Sequence, residues 1–202
     1  MGKLINRIAV LAATATVVME VGLVPAARAD TAPELACGST QPGPCSQTAH
    51  FTDVNEVDSP PESPLPASCP SFLATDFVTV VGTGNGIEHV TVNKAQNFWF
   101  TSTFTGQVTI TAYPPSSITA TDDTFTVSGP PDPNVPVFTG KLTEWFGASG
   151  NRQSAVFHDT FHFSGTSATG ESFTIHDVDH ASYTPGLDQN GPPHTGFTKI
   201  HC

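Results

Sequence analysis

Positive charge is scarce in this chain: seven Lys and Arg stand against eighteen Asp and Glu in 202 residues. Proteins that grip nucleic acid neutralise several phosphates at once with basic side chains. Nucleic acid is therefore excluded as a partner, and anionic lipid with it. Charged residues of both signs make up only 12% of the chain, about half of the roughly 25% usual in globular proteins, so Thr and Ser must cover much of the polar surface. Helical periodicity is missing too, since no segment carries an apolar stripe at 3.6-residue spacing long enough for a helix. There is no C-x-x-C pair of the kind zinc sites use, no zincin helix, no nucleophile elbow and no Ser/His/Asp spacing. The glycines of "VGTGNGIEH" imitate a phosphate loop, but a phosphate loop needs a helix N-terminus behind it, and "IEHVTVN" reads as a strand. The stretch is expected to be a hairpin turn.

What is present begins with a leader. Lys3 and Arg7 supply a basic start, "IAVLAATATVVMEVGLV" an apolar run interrupted by Glu20, and Ala27-Arg28-Ala29 a cleavage site before Asp30. Residues 1–29 are thus expected to be a secretory signal peptide, and the protein to be secreted and extracellular. With a carboxylate in its middle the leader is a poor membrane anchor, and no later run is apolar enough to span a bilayer.

All four cysteines, Cys37, Cys45, Cys69 and Cys202, follow the leader. An even number in an exported chain predicts two disulfides with three possible connectivities. Cys37 with Cys45, closing a short loop, and Cys69 with Cys202, tying the ends of the domain together, is the favoured pairing. Residues 30–70 are rich in proline and nearly without apolar periodicity, and so are expected to form an extended arm with one short strand at "AHFTDV". From 71 to 202 the texture changes. Segments such as "TDFVTVV", "NFWFTSTFTG", "QVTITAY", "VFTGKLTEWFG" and "GFTKIHC" alternate Val, Thr, Phe and Ile with polar residues, punctuated by Gly, Pro, Asn and Asp. About eight or nine short strands predict an all-β domain, a single antiparallel β-barrel in preference to a β-sandwich, because closure removes exposed edges. In these strands Phe98, Phe100, Phe104, Phe138, Leu142 and Phe146 fall on one face. Trp99, Thr101, Thr103, Thr143 and Trp145 fall on the other. The proline-rich connections "YPPSSITATDD" and "TPGLDQNGPPHTG" are long enough to fold over a barrel mouth.

The stretch "VFHDTFHFSGTSATGESFTIHDVDH" holds the candidate site. Alternation places His158 and His162 opposite in face to Phe157, Phe161 and Phe163, and places His176 and His180 opposite to Phe173, Ile175 and Tyr183. A turn at Ala168-Thr169-Gly170 with Gly170 left-handed would pair His162 with His176 and His158 with His180. Directly opposed Cβ atoms lie about 4.5–5.5 Å apart, near enough for each pair to grip one ion. Those four histidines are the metal candidates, with zinc or copper as the fitting ions. The same register sets Asp159 against Asp179 on the Phe side, where like charges repel. With Asp177 these carboxylates would form a site of their own, sharing a proton or holding a cation. His50, His89, His194 and His201 show no spacing pattern.

"GTGNGIEHVTVNKAQNFWFTSTFTG", "FTGKLTEWFGASGNRQSAVFHDTFHFSGT", "FTIHDVDH" and the terminal cysteine together resemble a group of uncharacterised secreted proteins of high-GC Gram-positive bacteria, over about Cys69 to Cys202. In that group an N-G turn precedes an H-x-T-x-N strand, and a W-F turn precedes the histidine hairpin. The resemblance implies export and a small β-barrel, similar to the allene oxide cyclase and dirigent barrels, and lends no activity.

The function expected first is binding of a small apolar or amphipathic ligand in a barrel mouth. Metal binding through the histidine hairpin comes second, and an extracellular interaction or inhibitor module third. A cyclase-type enzyme comes last, because no acid/base pair can be assigned as catalytic.

Overall fold

A computed structural model of the chain describes residues 35–38, 40–61, 64–121, 124–151, 154–183 and 195–202. The leader, and the second proline-rich connection up to residue 194, lie outside the described residues. The described chain is all-β. In order it runs β1 (Cys45–Asp58), the one-turn helix α1 (Phe72–Thr75), β2 (Phe77–Val92), β3 (Phe98–Tyr113), a 3-10 turn (Pro115–Ser117), β4 (Ile118–Thr121) and β5 (Thr124–Val127). It continues with β6 (Phe138–Gly150), β7 (Ala155–Ser167), β8 (Ser172–Tyr183) and β9 (Thr195–His201). Seven strands form one antiparallel sheet in the order β1-β2-β3-β6-β7-β8-β9, and β4 and β5 pair as a separate hairpin. β1 and β9 are its two edges; among the described residues no ladder joins them.

Three expectations change. Cys45–Asp58, wholly inside the expected arm and extending the short strand expected at "AHFTDV", is a strand of 14 residues paired with β2 along nearly its whole length. Its polarity disguised it because a bulge between Phe51 and Asp53 breaks the alternation: Ala49 and Phe51 face inward before it, Val54, Glu56 and Asp58 after it. "VGTGNGIEH" is no turn. β2 passes straight through it, and "NFWFTSTFTG" with "QVTITAY" is likewise one strand, β3. Trp145-Phe146 also lies within a strand, β6.

The glycines serve close approach rather than reversal. Gly82 faces Val108, which faces Gly140, which faces Gly165, in one row across four strands. A Cβ on Gly82 would run into the Gln107 carbonyl and one on Gly140 into that of Ser164. Glycine within a strand lets the backbone bend or approach a neighbour where a side chain would forbid it, so this row lets the sheet curl.

Curling gathers the inner face into two apolar clusters. The larger holds Val80, Phe104, Val108, Leu142, Phe161 and Phe163 among others, and the smaller holds Val90, Phe100, Phe146 and Phe157. Phe51 and Val54 from one edge strand and Ile200 from the other all pack on the larger cluster, so both edges wrap the same core. A single helical turn has no stability of its own. α1 is held by Phe72, whose ring lies 6.2 Å from Phe138 and 5.8 Å from Phe173. Full burial of each such side chain contributes about 1.5–3 kcal/mol.

Both expected disulfides are formed. Cys37–Cys45 joins Cα atoms 5.7 Å apart and Cys69–Cys202 joins Cα atoms 4.8 Å apart across a separation of 133 residues. Two disulfides are compatible with an extracellular protein. Among the described residues no helix is long and apolar enough to cross a membrane. Replacing Cys69 and Cys202 together by Ser removes the longer cross-link, and denaturant unfolding is expected to show a loss of roughly 2–5 kcal/mol. An unchanged unfolding midpoint would contradict this placement of the cross-link.

Candidate functional site

The β7–β8 hairpin is set by its turn. Gly170 has φ of 88°, its N–H donates to the Ser167 carbonyl at 3.0 Å, and Ser167 N–H donates to the Glu171 carbonyl at 2.9 Å. With that turn His162 faces His176, His158 faces His180 and Asp159 faces Asp179, the register read from the sequence. The histidines lie on the outer face and the phenylalanines on the inner one.

The two histidine pairs differ. His158 and His180 are half-buried, with ring centroids 4.7 Å apart and Nδ1 atoms 3.0 Å apart. Trp145 on β6 flanks them at 6.1 Å from His158, and Phe197 on β9 lies stacked 5.6 Å from His180. His162 and His176 are exposed, with ring centroids 5.9 Å apart. His201 on β9 stands opposite His176 and extends that row. Sequence reasoning left His201 out because the β8–β9 register depends on a long connection rather than a tight turn. Among the described residues no group of three or more His, Cys, Asp and Glu side chains is arranged to hold an ion, so the four histidines are two pairs rather than one centre.

The inner face holds acids of which the sequence flagged Asp159, Asp177 and Asp179 but not the others. Glu56, Asp58, Asp76, Glu88, Asp159, Asp177 and Asp179 are all buried, although ionisable carboxylates are almost never buried without compensation. Four of these acids, with Ser102 and the half-buried Glu144, form a belt. β2 interrupts its apolar row with Glu88, β3 with Ser102, β6 with Glu144, β7 with Asp159, and β8 with Asp177 and Asp179. On either side of these positions lie the two apolar clusters. Glu88 faces Ser102, Ser102 faces Phe146, Phe146 faces Asp159 and Asp159 faces Asp179, a row that Phe146 occupies on β6; Glu144 and Asp177 lie on the neighbouring inward row, joined through Phe161. Asp179 Oδ1 has no hydrogen-bond partner among the described residues. Glu88, only 2% exposed, was legible in principle, since alternation in "GIEHVTV" puts it on the side of Val90 and Val92. The described lysines, Lys94, Lys141 and Lys199, are exposed.

A cleft of about 30 Å³, close to the room one water needs, reaches Asp177 between Leu65, Leu73, Ile175 and Ile200, with Asp76 in its wall. Burial pushes the Asp76 carboxyl above its ordinary range; a hydrogen bond from Thr75 Oγ1 at 3.0 Å opposes this, and the nearby Asp132 carboxylate adds to it. No protein-family model, curated protein or solved structure matches the chain.

Because the folded protein holds the Asp76 proton to higher pH than the unfolded chain, the native state binds more protons across that window. Stability therefore falls as pH rises through it. Asp76→Asn keeps an acceptor for Thr75 and removes the ionisation. Its urea midpoint is expected to exceed that of the wild type at pH 7, with the advantage vanishing near pH 3. A variant weaker than the wild type at pH 7 would show that the carboxylate is stabilised by its surroundings instead.

Proposed function

We propose that this is a secreted binding protein whose curled sheet acts as a barrel and receives a small amphipathic ligand on its inner face. One observation carries the reading: carboxylates on β2, β6, β7 and β8 interrupt the inward face between two apolar clusters. Such a belt costs folding free energy, and local violations of good core design concentrate at functional sites. Ionised carboxylates only accept hydrogen bonds, so the polar end of the ligand is a donor, an ammonium or a hydroxyl. Its apolar part lies against the Phe and Val walls. Ala49, next to Glu88, and Ser102, facing it, are the small side chains of that row, and the polar end of the ligand is placed against Glu88.

Titration of the disulfide-bonded protein with N-phenyl-1-naphthylamine is expected to give a saturable rise in fluorescence. A primary alkylamine should reverse it at lower concentration than the alkyl carboxylate of equal length. Ser102→Phe fills the belt and should weaken probe binding at least tenfold. Glu88→Gln, a gentler change, should weaken competition by the amine more than competition by the alkyl alcohol. No saturable signal, or equal competition by amine and carboxylate, would sink the reading.

A further inference from the structure

The outer face carries a second, independent feature. Two imidazole nitrogens bound to one ion at 2.0–2.1 Å each are separated by about 2.9–3.4 Å when they occupy neighbouring coordination positions. His158 Nδ1 and His180 Nδ1 stand 3.0 Å apart, sharing a hydrogen bond, so the pair has the nitrogen spacing of a chelate, and an ion bound by both would displace the shared proton to solvent. The spacing is imposed rather than incidental. The Gly170 turn sets the two residues directly opposite. Trp145 folds back over Gly147, the residue facing His158, so that a Cβ there would meet the indole. On the other side the Phe197 ring lies within 22° of parallel to that of His180. Aromatic rings thus wall the pair on both sides and limit the rotamers that would pull the nitrogens apart, which lowers the entropy lost on binding. The pair is only half-buried, which leaves coordination positions for water.

We propose that His158 and His180 form a two-histidine chelate for a divalent transition metal on the outer face of the sheet, with Cu²⁺ bound more tightly than Zn²⁺. Imidazole suits both ions, and the divalent series places copper first. The His162–His176 pair is not part of this site. It lies four residues further along each strand, about 13 Å away at the usual rise, and its rings are more widely separated and exposed.

Titration of the disulfide-bonded protein with CuSO₄ at neutral pH, in a weakly coordinating buffer, tests this through two readouts. Bound Cu²⁺ should quench the fluorescence of Trp145, and the electron paramagnetic resonance spectrum should show coupling to two imidazole nitrogens. His158→Ala and His180→Ala should each raise the Kd of that event at least tenfold and abolish the quenching, with unchanged circular dichroism. The double variant His162→Ala with His176→Ala should keep both readouts within twofold of the wild type. Undiminished quenching in His158→Ala, or loss of the event in the His162/His176 variant, would overturn the assignment. Absence of any copper-dependent change in the wild type would overturn it as well.

Discussion

Side chains in a strand alternate between two faces, so a slip of one residue in the β7–β8 pairing would exchange the contents of both. His158, His162, His176 and His180 would then compete for the interior with Phe157, Phe161, Phe163 and Phe173. The hydrogen bonds of the turn from Ser167 to Glu171 hold the hairpin in one register, and burial of the phenylalanines makes every other register costly. Both candidate sites depend on that constraint. It brings His158 to His180 on the outside and, with the same stroke, sets Asp159 against Asp179 on the inside.

The two faces carry different chemistry because they meet different media. Outside, imidazoles, indoles and hydroxyls are solvated and cost little, so a nearly preformed pair of nitrogens needs only local walls to keep its spacing. Inside, carboxylates lie between clusters of phenylalanine and valine, and burial there disfavours a charge wherever it is not compensated. Outside the belt, Asp76 has its own carboxyl pushed up mainly by burial. A chain held together by one longer disulfide and a single wrapped core can accommodate such a belt because the apolar clusters above and below it remain continuous across the strands.

Much of this was legible beforehand wherever a local rule governed. The Phe side of each strand, the turn at Gly170 and the resulting histidine pairing follow from period-two alternation and one left-handed glycine. Of the three possible pairings of the cysteines, the favoured one is the one formed. Legibility failed where a local signal pointed the wrong way. Gly82, Gly84 and Gly86 read as a turn, yet they sit inside β2, because glycine permits close strand approach as readily as reversal. β1 read as an arm with only a short strand at "AHFTDV", because its bulge shifts the alternation midway and its inner positions after the shift include Glu56 and Asp58 rather than apolar residues.

From the order of its residues alone the chain determined its β character, the inward face of each regular strand, and which histidines and aspartates would meet across one tight turn. These are short-range consequences of pleat and turn geometry. Only the tertiary structure decided that β1 is an edge of the same sheet, that His201 joins the row of His176, and that carboxylates from four strands interrupt the inward face between the two apolar clusters. Those placements depend on register between strands joined by long connections and on the curl permitted by the glycine row, neither of which is written in any local window.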